Sequence, residues 1–84
     1  MDYSKKVLAI NSFVSTGDGI ILGYVNINTS STGYYQINIG SFPIYFATSQ
    51  GQSIPVFALI SKDENVNIIA SNCEVKAYFV PFIE

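Results

Sequence analysis

The sequence predicts an all-β protein, an antiparallel β-sandwich of jelly-roll-like form with about seven short strands in a single domain. Three observations carry this expectation. Twelve Ile and seven Val stand against three Leu and five Ala, a β-branched bias that suits a pleated, half-buried surface. Short apolar stretches recur between turn signals, the spacing of a sandwich or barrel. No segment carries an apolar 3.6-residue period over ten residues, so no amphipathic helix is expected. With 84 residues the chain has room for one domain and a thin core.

The polar segment 1–6, MDYSKK, is set apart as a short N-terminal docking arm, leaving 7–84 as the sandwich. Its Lys5-Lys6 pair precedes an apolar run that stops at Asn11, too short for a signal-peptide core. VLAINSFV, from Val7 to Val14, reads as a first strand with untidy alternation, and Thr16 to Gly19, TGDG, as a hairpin turn. Ile20 to Ile27, IILGYVNI, is apolar on both faces, which suits a strand covered on both sides. After the polar loop Asn28 to Gly33, YYQINI alternates with Tyr35, Ile37 and Ile39 on one face. Gly40-Ser41 turns the chain into FPIYFA, with Phe42, Ile44 and Phe46 on one face and Pro43 marking an edge strand, because Pro cannot donate to a ladder.

Beyond the loop SQGQ, SIPVFALI again shows two apolar faces, Ile54, Val56, Ala58 and Ile60 opposite Pro55, Phe57 and Leu59. The charged turn Lys62 to Asn65 leads to a short strand, Val66 to Ala70, and Ser71-Asn72 to CEVKAYFV. There Cys73, Val75, Ala77 and Phe79 point one way and Glu74, Lys76 and Tyr78 the other.

The absences constrain function more than any motif. The chain has no His, Trp or Arg and one Cys. Nucleophilic catalysis lacks its usual base, so no enzyme is expected. Asp18 and the carboxylates of Asp63 and Glu64 read as ordinary turn residues, and neither TGDG nor KDENVN has the ligand spacing of a calcium loop. No cofactor or metal is expected. Cys73 alternates with core residues and reads as a buried structural thiol, and a lone thiol makes folding independent of disulfides. Asn28-Thr29-Ser30 fits a glycosylation sequon but reads as a polar loop.

Four Lys against six carboxylates give a net charge of −2, and without Arg no nucleic-acid partner is expected. No apolar run reaches the length of a membrane span. The 43 residues from Gly19 to Ser61 carry no charge at all. A segment so apolar and β-prone aggregates unless its faces are covered, and identical subunits would cover them. Tyr24, Tyr34, Tyr45, Phe57, Tyr78 and Phe82 are the candidate oligomer-interface residues, since Tyr joins apolar area to a hydroxyl. Tyr3, Lys5 and Lys6 are the candidate docking residues of the arm.

The order of features adds a resemblance. Asp18-Gly19-Ile20 opens an apolar strand, and a polar loop runs into YYQINI. Gly51 to Val56 reads Gly-Gln-Ser-Ile-Pro-Val, Lys62-Asp63 follows, and the chain closes on Ala77-Tyr78-Phe79-Val80-Pro81-Phe82. Together these resemble the small β-sandwich knob and head-fibre domains of tailed bacteriophages, although the turn reads Lys-Asp-Glu-Asn where that pattern favours Lys-Gly-Asp. The resemblance implies a homotrimer, a location in the virion after assembly in the host cytoplasm, and docking on another virion structural protein as a head-fibre, decoration or knob component. The alternative is a carbohydrate-binding module whose surface Tyr residues meet a host-surface glycan.

Overall fold

A computed structural model describes residues 1–28, 33–48 and 52–82, with backbone alone at 46–48. The sequon, most of the loops at 28–33 and 49–52, the Phe46 side chain and the last two residues lie outside the described residues. Among the described residues a 3-10 turn at Tyr3–Lys5 is followed by eight strands: β1 (Val7–Leu8), β2 (Phe13–Val14), β3 (Gly19–Ile27), β4 (Gly33–Ile39), β5 (Phe42–Thr48), β6 (Ser53–Ile60), β7 (Asn65–Ser71) and β8 (Cys73–Pro81).

Two four-stranded sheets form, in the orders β1-β8-β3-β6 and β2-β7-β4-β5, with every pairing antiparallel. Strand pairs 4–5, 3–6, 2–7 and 1–8 are the rungs of one long hairpin with its tip at Gly40-Ser41. Rolling that hairpin up adds the pairs 3–8 and 4–7, which closes two sheets face to face. This is the jelly roll, so the expected fold class is the observed one. At the tip, Ile39 pairs with Phe42, and Gly40 takes φ +60°, the left-handed conformation that the first position of a two-residue hairpin loop requires.

The first strand departs from expectation, and the count rises to eight. Val7 to Val14 is two two-residue strands, one in each sheet. The chain bends at Ala9, where Ile10 N–H donates to the Leu8 carbonyl at 3.0 Å, and Ala9 is buried with its carbonyl accepting from the Tyr35 hydroxyl. Farther on, the Ser12 hydroxyl takes the Ile68 N–H at 3.2 Å in place of a ladder partner. Untidy alternation was therefore the mark of a change of sheet. Likewise Asp18-Gly19 makes no hairpin: it carries the chain from β2 to β3 in the opposite sheet. Its carboxylate accepts from Lys62 N–H at 2.8 Å and its carbonyl from Phe82 N–H at 3.0 Å, so it fastens two remote segments.

The core lies between the sheets. Ile21, Val25 and Ala77 of one face Tyr35, Ile37 and Val66 of the other, all essentially without solvent contact. Tyr35 and Ile37 point inward and Ile39 is half-buried, as their alternation predicts, and Val75, Ala77 and Phe79 do the same in β8. Cys73 belongs to that inward row but is only half-buried, because it stands at the strand's first residue. β5, with Pro43, is an edge strand as predicted.

Candidate functional site

The outward face of the β1-β8-β3-β6 sheet gathers four of the six predicted interface residues, Tyr24, Phe57, Tyr78 and Phe82. Residues in register across antiparallel strands share a face. One outward row is Leu8, Tyr78, Leu22 and Phe57; beside it lie Val80, Ile20 and Leu59 on one side and Lys76, Tyr24 and Pro55 on the other. Phe57 and Leu59 are 65% and 64% exposed and Tyr24 46%. Tyr78 is half-buried, with the Lys6 ammonium 5.8 Å from its ring centroid, a cation–π arrangement. Polar groups frame the far end: Asn26 donates to Glu74 at 3.2 Å and accepts from the Ser53 hydroxyl.

Tyr24, Phe57 and Tyr78 are thus brought together, and the exposed Phe82 continues their side of β8 beyond its end. Tyr34 and Tyr45 are not in this group. They stand on the outward face of the opposite sheet, where Tyr45, Gln36 and Ile69 share a row and Pro43, Asn38 and Asn67 the next. That face is amide-rich, with Gln36 donating to Asn38 at 2.7 Å and Ser12 to Asn67 at 2.5 Å. Sequence reasoning omitted Leu8, Leu22 and Leu59 from the site. Leu59 was legible, two residues from Phe57 on the same face; Leu8 was not, because its strand was misread.

The segment Met1 to Lys6 is folded onto the domain. Asp2 N–H donates to the Pro81 carbonyl at 2.8 Å, and its carboxylate caps Ser4 through N–H and hydroxyl. The Ser4 hydroxyl bond, more than any other contact, holds the Asp2 carboxyl below its usual range. Tyr3, Lys5 and Lys6 remain exposed around this turn.

The groups that chemistry would need are engaged structurally. Ser15 is buried and its hydroxyl donates to the Ser61 carbonyl at 2.5 Å while accepting from Glu64 N–H at 3.0 Å. With the Asp18 bond it locks the turn at 62–64, an association of the two charged turns that the sequence did not reveal. Burial raises the Cys73 thiol above its ordinary pKa, leaving it a poor nucleophile at neutral pH. Among the described residues no group of three or more His, Cys, Asp or Glu is placed to hold a metal, and no helix is long and apolar enough to cross a membrane. Between the ends of β1 and β2 the sandwich opens into an apolar cavity of about 580 Å³ lined by Val7, Phe13, Val14 and Phe79, with the two Phe rings 5.2 Å apart.

The fold and its faces define an eight-stranded jelly-roll sandwich with one apolar and one amide-rich outer surface. No family model, curated protein or solved structure matches the chain.

Proposed function

We propose that this chain is a non-enzymatic virion structural protein that self-associates through the outward face of the β1-β8-β3-β6 sheet and docks on another virion protein. The observation that carries the reading is that face: Tyr24, Phe57 and Leu59, all from the 43 uncharged residues between Gly19 and Ser61, stand open to solvent beside Leu22 and Tyr78. Large contiguous apolar patches on soluble proteins mark interaction sites. The jelly roll is an architecture that viral capsid domains use, and the sequence pattern resembles phage knob and head-fibre domains. Fold alone does not fix function, so the virion assignment rests on that resemblance and the apolar face together. Tyr3, Lys5 and Lys6, exposed around the N-terminal turn, are the docking group.

A second reading has its own observation. Tyr45, 64% exposed, lies in a row with Gln36 on the amide-rich face, a surface suited to a glycan, and lectins also use the jelly roll. Light scattering after size exclusion separates the two. A mass at a multiple of 9.2 kDa supports self-association, three copies being the number the resemblance implies. A monomer overturns it, and glycan-array binding lost in Tyr45→Ala then establishes the carbohydrate reading.

A further inference from the structure

β6 forms the open margin of its sheet. Ile27 N–H donates to the Gln52 carbonyl at 2.8 Å, and the register Asn26↔Ser53 makes these two residues a directly opposed, hydrogen-bonded pair. Antiparallel ladders alternate. Ile54, Val56, Ala58 and Ile60 therefore bond to β3, while the backbone groups of Ser53, Phe57 and Leu59 turn to the open edge. Pro55 faces the same way with a carbonyl and no N–H. The side chains of Phe57 and Leu59 are exposed, and no residue from Ser53 to Ser61 is charged. Proteins blunt such edges with lysines, bulges, prolines or covering segments; β6 has one proline.

We propose that a second copy of this chain occupies this edge, its β6 antiparallel to the first about a two-fold axis, with Phe57 opposite Leu59 of the partner subunit. The inference rests on the self-association proposed above and sets its contact at the β6 margin of that face, with two copies in place of the three that the resemblance implies. Pro55 selects the register. With Phe57 opposite Leu59, both residues exchange N–H and C=O with their counterparts, and Pro55 falls opposite Ser61. The N–H that Pro55 lacks then faces the Ser61 carbonyl, which already accepts from the Ser15 hydroxyl. With Phe57 opposite Phe57, Pro55 would face Leu59 and leave the Leu59 carbonyl without a donor.

In this register only Val56 to Ile60 of the eight β6 residues face their counterparts, an overlap roughly 17 Å long at about 3.4 Å per residue. Stacked with β5 of the other sheet, about 10 Å away, and with side chains included, the shared flank offers roughly 300 Å² per copy, the size of a weak, concentration-dependent contact. Isologous pairing of this kind closes as a dimer, and it joins the two apolar outer faces side by side.

The test uses the full chain with Cys73→Ser. Phe57→Cys with Leu59→Cys together are expected to give a covalent dimer on oxidation, because opposed residues about 5.5 Å apart lie within disulfide reach; neither single variant is expected to do so. Without any cysteine variant, the Phe57 and Leu59 amides are expected to lose their fast hydrogen exchange as concentration rises. Cross-linking by Phe57→Cys alone overturns the register. A trimeric mass, or a multimer whose Phe57 and Leu59 amides stay unprotected, overturns the two-fold edge while self-association stands. A monomer at all concentrations overturns both.

Discussion

Tyr35 shows how much one side chain settles in a domain this small. Among the described residues it is the largest that is fully buried, and its hydroxyl reaches across to the Ala9 carbonyl at the point where the chain leaves β1 for the opposite sheet. Tyr35→Phe strips that buried carbonyl of its donor and is expected to lower stability by about 1–3 kcal/mol, read by urea unfolding. The same residue sets a pH dependence. Burial, with the charge of Cys73 adding to it, raises the Tyr35 pKa above its ordinary value of 10.0. The unfolded chain then ionises first, so this residue's contribution is intact below about pH 10 and is lost as pH rises beyond it. Alkaline unfolding is expected to be less steep in Tyr35→Phe; an unchanged slope would mean that other groups govern it.

Among the elements, the two-residue strands β1 and β2 are the weak points. Val7 is 62% and Val14 57% exposed, and both line the cavity that also borders Phe13 and Phe79. β3, by contrast, is paired along both edges. Hydrogen exchange measured by NMR is expected to show β1 and β2 opening locally while the amides of β3 exchange only on global unfolding. Equal protection in all three would overturn this ranking. The elements also show what the sequence made legible. Two-state alternation in YYQINI and CEVKAYFV identified their inward faces, because a period of two is unambiguous when one face is dry. Val7 to Val14 was opaque because a chain that changes sheets shows half of each face, and no local pattern encodes that change. The hairpin signal at Asp18-Gly19 was present and misled, since its carboxylate serves Lys62, which is remote in sequence. The clustering of Tyr24, Phe57 and Tyr78 needed the strand order, whereas the apolar character of each was plain.

For the whole molecule, the separation of an apolar outer face from an amide-rich one predicts the thermodynamics of assembly. Net charge is only −2, and the apolar face carries few charges, Lys76 beside Tyr24 with Glu74 and Lys6 toward its margin. Association is therefore expected to be insensitive to sodium chloride and strengthened by ammonium sulfate, which enhances apolar burial. Light scattering across a salt series checks this, and dissociation by sodium chloride would indicate an ionic interface instead.

The place of β8 gives the chain a timetable. It is the last of the eight strands to be synthesised, yet it lies inside its sheet, between β1 and β3. Until it emerges, β1 has no neighbour and β3 has only β6. The nascent chain holds β3 without the strand that pairs its second edge, and the rungs outside the β4–β5 hairpin join residues far apart in sequence, a topology that folds slowly. The final strand is therefore the clasp that completes its sheet.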